Sequence, residues 1–312
     1  MFEVIRYSAE HKSAWNQFVL NSKNSTFLFD RNYMDYHSDR FEDNSLMIYR
    51  KGKLYSLLPA NKVGDVLHSH QGLTYGGLLM NDKVTVSESI EVFQVINVYL
   101  RECGFTKVVY KPIPFIYHQR PAQEDLYALF RTTRAKVTGR NISSTIIQSD
   151  KIKFIESRKS GIRKALANEI IIRQSSDLSD FWEILDTNLQ SKYGVAPVHS
   201  LSEMQLLQSR FPQNIKLYLA YKGGIALGGT LLYITKQVVH TQYISANMEG
   251  KGLGVLDLLF DYLINHEYTN YPYFDFGQST EQMGNLLNES LIFQKEGFGG
   301  RGLCYDIYEY EL

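Results

Sequence analysis

An internal repeat constrains this chain more than any other feature: the sequence is written twice, at an offset of about 167 to 171 residues. Ile5-Arg6-Tyr7-Ser8 leads to Trp15, and Ile172-Arg173-Gln174-Ser175 leads to Trp182 at the same internal spacing; these are the two tryptophans of the chain. Met34 and Phe41 answer to Met204 and Phe211, Lys51-Gly52 to Lys222-Gly223, and His70-Gln71 with Tyr75 to His240 and Gln242-Tyr243. A drift of a few residues is what loop insertions produce. Repeats of this length are whole structural units, and 312 residues accommodate two of them, each large enough to bury its own core. The expected domains are 1–150 and 151–312.

Thirty-three basic and 33 acidic residues leave no net charge, so nothing global argues for nucleic acid or for an anionic membrane surface, no DNA partner is expected, and any electrostatic site must be local. Cys103 and Cys304 stand in apolar surroundings without metal or redox spacing and read as reduced core thiols. The histidines, among them His68, His70, His199 and His240, show no metal-ligand spacing either, so no metal is expected. The start, Met1-Phe2-Glu3-Val4-Ile5-Arg6, lacks the pattern of a secretion signal, and no apolar run reaches the length of a membrane span. A soluble, cytoplasmic protein without membrane insertion is the expectation.

Each copy opens with a short apolar strand and a helical stretch around its tryptophan, followed by a second helical stretch ending at Phe41 or Phe211. Strands are expected at 45–49 and 53–58 in the first copy and at 215–221, 225–235 and 237–244 in the second, with Lys51-Gly52 and Lys222-Gly223 as hairpin turns. Both copies then change period. Ile90, Phe93, Ile96 and Leu100 form one helical face behind a Thr85-x-x-Glu88 capping box, ahead of a strand at 107–111. Val255, Leu258, Leu259, Tyr262 and Leu263 repeat this ahead of a strand at 273–276, with Asp257, Asp261 and Asn265 on the wet face. Antiparallel strands leading into a strand-helix-strand unit describe an α/β fold, a mixed sheet flanked by helices. Residues 151–168 carry Lys151, Lys153, Arg158, Lys159, Arg163 and Lys164 against Glu156 and read as a basic connecting helix.

Only the second copy holds the segment Asn247-Met248-Glu249-Gly250-Lys251-Gly252-Leu253-Gly254 between a strand and a helix. Glycines let the backbone approach a ligand, and a helix N-terminus favours negative charge, so a phosphate suits this place. The spacing resembles the Q/R-x-x-G-x-G/A pyrophosphate loop of the GNAT acyltransferase superfamily, with Glu249, Gly252 and Gly254 at its defined positions and a carboxylate where that family has Gln or Arg. Lys251 offers compensating charge. Ser157-Arg158-Lys159-Ser160-Gly161-Ile162-Arg163-Lys164-Ala165 and Phe293-Gln294-Lys295-Glu296-Gly297-Phe298-Gly299 resemble the FemABX branch, whose members have two tandem GNAT-like domains and move an amino acid from aminoacyl-tRNA to a peptidoglycan precursor. Related two-domain proteins of bacterial surface-polysaccharide pathways are described as acyltransferases.

The resemblance implies two tandem GNAT-like domains and an N-acyltransferase, taking acetyl-CoA or another acyl-CoA as donor and a small amine, on a nucleotide-linked sugar or cell-surface precursor, as acceptor. An aminoacyl-tRNA donor, with tRNA as partner, is the alternative; a non-catalytic binding protein is the third. The donor site would comprise Ile244, Ala246, Glu249, Gly250, Lys251, Gly252, Leu253 and Gly254. Both chemistries need a neutral amine and a polarised carbonyl. Asp275 is placed to take the amine proton, Tyr243 to reprotonate the leaving group, and Lys295 to neutralise charge. Arg158 and Lys159, with Tyr75 from the first copy, are the candidate acceptor-binding residues.

Overall fold

The computed structural model describes residues 1–312, the side chain of Tyr193 excepted. The chain divides into two compact units, Met1–Asn141 with Thr280–Leu286 and Cys304–Leu312, and Ile142–Ser279 with Leu287–Leu303.

In the first unit β1 (Phe2–Arg6) is followed by α1 (Lys12–Asn21), and then by β2 (Leu46–Arg50) and β3 (Lys53–Leu58). β1, β2 and β3 form an antiparallel sheet with Val4 opposite Ile48 and Leu46 opposite Leu58. The β2–β3 turn places Lys51 and Gly52 both at positive φ, 49° and 71°, the backbone whose twist matches a two-residue hairpin. β4 (Val66–His68) runs parallel to β5 (Lys107–Tyr110) across the helix α2 (Val86–Glu102). Val92, Phe93, Ile96 and Leu100 of α2 are buried and Ile90 packs at their margin, while Thr85 accepts from the Glu88 amide at the N-cap. α3 (Glu124–Thr132) packs beside α2. The second helical stretch expected to end at Phe41 is broken into the short turns Phe27–Phe29 and Asp35–His37 around a four-residue helix, Arg31–Met34.

β6 (Lys136–Ile147) gives residues 142–147 to the second unit. There follow α4 (Glu156–Ala167), β7 (Ile171–Ser175), α5 (Ser179–Tyr193), α6 (Leu201–Arg210), β8 (Ile215–Lys222), β9 (Ile225–Ile234), β10 (Val238–Ala246), α7 (Met248–Leu253), α8 (Val255–Tyr262), β11 (Tyr273–Gln278) and α9 (Glu289–Gly297). The sheet order is β7-β8-β9-β10-β11-β6, antiparallel throughout except for the parallel pair β10–β11. One face is covered by α8, whose Leu259 and Phe260 are buried with Phe274, Phe276 and Phe298. The other carries α5, where Trp182 meets Tyr243 edge-on. β12 (Arg301–Glu311) closes the chain. This is the mixed α/β architecture expected from the sequence.

Two expectations are corrected. Cys103 and Cys304 are exposed free thiols: the first caps the polar end of α2, and the second takes an outward position of β12. Asp257 is buried rather than wet, because the neighbour over that side of α8 is helix α4 rather than solvent.

Candidate active site

The site begins where two parallel strands part. β10 and β11 stay in register from Val238 beside Tyr273 to His240 beside Asp275, and pairing ends there. Two irregularities drive them apart. On the β9 side of β10, Leu231 faces Tyr243 and Leu232 faces Thr241, so Gln242 is an extra residue. On the β6 side of β11, the register slips between Asp275 and Gln278, where Gly277 has φ +72°. Bulges of this kind bend a strand and re-aim its side chains.

The parting opens a pocket of about 240 Å³, lined by Ile244 and Ala246 of β10, Phe276 of β11, Phe260 of α8, Asn188 of α5 and Lys295 of α9. A wider groove of about 900 Å³ lies alongside and shares Asn188, Lys192 and Lys251 with it. Asn188 braces the pocket's rim. Its Nδ2 donates to Ser245 Oγ at 2.7 Å and to the Ala246 carbonyl at 2.8 Å, while its Oδ1 accepts from Lys251 Nζ at 2.9 Å.

Lys295 is 4% exposed, and its Nζ donates to the carbonyls of Gly277 at 2.9 Å and Gln278 at 2.7 Å. An ammonium has three donors, so one N–H is left over at the pocket. Burial lowers its pKa to about 8 against the opposing pull of the Asp275 charge. Asp275 is fully buried; its Oδ1 accepts from Ser143 Oγ at 2.5 Å and Thr145 Oγ1 at 2.8 Å, and its Oδ2 lies 2.8 Å from His240 Nδ1. Burial alone would raise this carboxyl, but His240 and the two hydroxyls outweigh it and hold the pKa below the usual carboxylate range. A carboxylate so enclosed is not the first acceptor of an amine proton. Tyr243 is not at the pocket either: its hydroxyl lies 2.6 Å from His199 Nδ1, and burial pushes its pKa up to about 12.

The glycine segment differs most from its expected role. The helix starts at Met248 instead of after Gly254: Asn247 caps α7 by accepting from the Gly250 amide at 2.8 Å, and Gly254 ends it at φ +74°. The N-terminus of α8 is already covered by α4. A Cβ on Gly254 would lie 2.6 Å from the Gly161 carbonyl, and a Cβ on Gly161 would lie 1.8 Å from Asp257 Oδ2. The carboxylate in the first turn of α8 thus comes from the chain itself, and Arg158 answers it at 2.7 Å. Gly250 is buried against the Leu227 carbonyl, Leu253 packs at the margin of that cluster, and Glu249 pairs with Lys222 at 3.3 Å. Gly252 faces open space.

Of the acceptor candidates, Arg158 gives Nη1 to Asp257 at 2.7 Å and stacks 5.3 Å over Phe298. Lys159 is exposed next to Glu156. Tyr75 is 2% exposed, buried within the first unit with its hydroxyl on Thr26 Oγ1. The structure therefore gathers Ile244, Ala246, Lys251 and Lys295 at one pocket and leaves Tyr75, Arg158, Lys159 and Tyr243 out of it. Sequence reasoning missed Asn188 and Phe260, which sit on ordinary helical faces and carry no local signal, and His240. Among the described residues no three His, Cys, Asp or Glu side chains gather as a metal site, and no helix is long and apolar enough to cross a membrane.

Gly277 stands at the centre. Alanine there would take an unfavourable left-handed backbone, costing ~1–2 kcal/mol, and its Cβ would press on His240 Cε1 at 3.0 Å. Gly277→Ala is expected to lower thermal stability measurably and shift the His240 ring resonances; an unchanged melting temperature and imidazole spectrum would contradict this account of the bulge.

Residues 154–283 match the family model of the acetyltransferase (GNAT) domain. No curated protein matches the sequence significantly. Among solved structures, FemX superposes with a TM-score of 0.68 at 11% identity, over 99% of this chain and 97% of that one. L-PGS from Bacillus licheniformis gives 0.62 at 13% identity, over 98% and 92%. A tandem GNAT protein from the clavulanic acid biosynthesis pathway gives 0.50 at 11% identity, over 100% and 98%. With strands that part at a pocket, a matched acetyltransferase domain and these neighbours, the chain has the fold of the GNAT superfamily in its tandem, FemABX-like form.

Proposed function

We propose that this chain is an acyltransferase that delivers an activated acyl group to an amine, with the acyl carbon held in the pocket between β10 and β11. The observation that carries the reading is the pocket itself: apolar walls from Ile244, Ala246, Phe260 and Phe276, and one buried cation with a donor to spare, Lys295. Such a donor stabilises the oxygen that gains charge as the amine attacks the carbonyl. Apolar walls exclude the water that would hydrolyse the donor.

Of the two donor classes, an aminoacyl ester of the aminoacyl-tRNA type is favoured over acyl-CoA. The anion position at the start of α8 is taken by Gly161, Asp257 and Arg158, so a pyrophosphate cannot use the helix N-terminus that the glycine spacing points to. Lys153, Lys159, Arg163 and Lys164 are exposed on and just before α4, a local basic strip of the kind a polyanion uses despite zero net charge. Acyl-CoA remains the second reading because Gly252 and Lys251 are open to solvent at α7.

Calorimetric titration with acetyl-CoA and free coenzyme A, set beside binding of a bulk aminoacyl-tRNA mixture, separates them. We expect no micromolar heat from either coenzyme, and tRNA binding that falls as salt rises. Lys159→Glu combined with Lys164→Glu should weaken tRNA and flatten the salt slope by about one to two phosphate contacts. Micromolar acetyl-CoA binding abolished by Gly252→Trp, at a position where an added Cβ meets nothing within 4 Å, would replace the ester donor by the thioester.

A further inference from the structure

We infer that His240 is the general base of the transfer, set in its working tautomer by Asp275; the inference rests on the acyl-transfer reading. Three observations point to it. His240 Nδ1 lies 2.8 Å from Asp275 Oδ2, and that carboxylate is ionised, buried and fixed through its other oxygen by Ser143 and Thr145. A ring nitrogen facing an ionised carboxylate carries the proton, so Nδ1 is the donor and Nε2 of the neutral ring is the acceptor. Nε2 has no hydrogen-bond partner among the described residues, and the side chain keeps 13% of its surface open.

The ring is also in the right place. It lies against Gly277, where the strands part, and the Gly277 carbonyl holds Lys295 at the pocket. Asp275 on β11 and Lys295 on α9 are the charged groups that face this corner. His240 and Tyr243 project from β10 toward the α5 side of the sheet, while Ile244 projects toward the α8 core. The ring itself lines neither the pocket nor the groove; it stands beside Gly277 at the gap where the strands part, so that an amine approaching the pocket through that gap would pass Nε2. Orientation of an imidazole by a buried carboxylate is the device that lets histidine act as a base at neutral pH. Asp275 is accordingly a positioning residue and never becomes the proton's destination.

The step balances. The amine nitrogen bonds to the acyl carbon, and the carbonyl π pair moves to oxygen beside Lys295. Nε2 takes one proton from the nitrogen, which becomes ammonium-like on attack. The intermediate then collapses, the bond from carbon to the donor's oxygen (or sulfur) breaks, and the departing group recovers the proton from the imidazolium.

Two measurements on the full chain test this. Carbethoxylation with diethyl pyrocarbonate, mapped by mass spectrometry, should modify His240 in the wild type and be slowed about tenfold in Asp275→Asn; an unreactive His240 beside a modified, exposed His266 would overturn the inference whatever the donor proves to be. With the donor that supports transfer, His240→Ala should lose about 100-fold in kcat, and added imidazole should restore part of the rate. A variant that keeps its kcat, or a loss that imidazole does not rescue, would show that the ring is structural. Absence of transfer from any donor in the wild type would overturn the functional reading and the catalytic inference with it, while the labelling result would still report the geometry independently.

Discussion

Replacing Lys295 with methionine is expected to lower transfer by about 100- to 1000-fold while changing stability far less. The ammonium is the buried donor of the pocket, and deleting one preorganised donor to a developing oxyanion typically removes ~10²–10³ in kcat. Its effect on the fold is a balance of opposed contributions. The Gly277 and Gln278 carbonyls lose a donor each, which costs ~1–3 kcal/mol apiece if they stay dry. Against that, the wild type buries a charge: the folded pKa of about 8 sits below the ordinary 10.5, so at neutral pH the cation disfavours folding by ~3 kcal/mol relative to the free chain. A base whose folded pKa is lowered binds its proton more tightly when unfolded. That penalty is therefore full below pH 8 and fades as pH rises from 8 toward 10.5. Urea unfolding at pH 7.5 and pH 10 should show the wild type gaining stability relative to Lys295→Met across this window. A variant that keeps its kcat, or unfolding curves that shift in parallel, would remove Lys295 from the role assigned to it.

How far the sequence reveals this site depends on the range of each contact. The helix faces of α2 and α8, the β2–β3 turn and the strand-helix-strand units depend on neighbours within a few residues, and those periods are plain in the chain. Lys295, Ile244 and Ala246, to which the family resemblance points, line the pocket. The glycine segment misleads because its decisive neighbour is remote: Gly161 lies 93 positions before Gly254, and only the docking of α4 on α8 shows that Gly254 serves a helix-to-helix contact. The same docking buries Asp257 and occupies Arg158, which read separately as a wet carboxylate and a free phosphate ligand. His240 is hidden in the sequence for a related reason. Its partner Asp275 is 35 residues on, and no spacing rule reveals a parallel register. The repeat did align His240 with His70 and Tyr243 with Tyr75, but Tyr75 is sealed inside the first unit, so equivalent positions in the two copies have come to hold different chemistry.

His70 provides the second large expected effect, in acid. It sits 3% exposed at φ +67°, stacked 5.4 Å from His37, and the Nδ1 atoms of both rings are buried without a hydrogen bond among the described residues. Burial first, then the neighbouring His37, drives the His70 pKa down to about 3; burial also lowers His37, and takes His118 to about 4. These imidazoles fold neutral, whereas in the unfolded chain they take up protons near pH 6.5. Stability is therefore fully present above pH 6.5 and drains away as pH falls toward the folded values, with His70 alone accounting for ~3 kcal/mol by pH 4. Asparagine is the informative replacement, since it tolerates the left-handed backbone and does not titrate. His70→Asn should cost some packing equally at every pH, yet lose less than the wild type between pH 7 and pH 4 in urea unfolding. Carboxylates titrate over the same range in both proteins, so the difference between the two curves isolates the histidine. If the curves run parallel, the ring is either reached by water or already paired, and the first unit's acid sensitivity must arise from His118 and His37 instead.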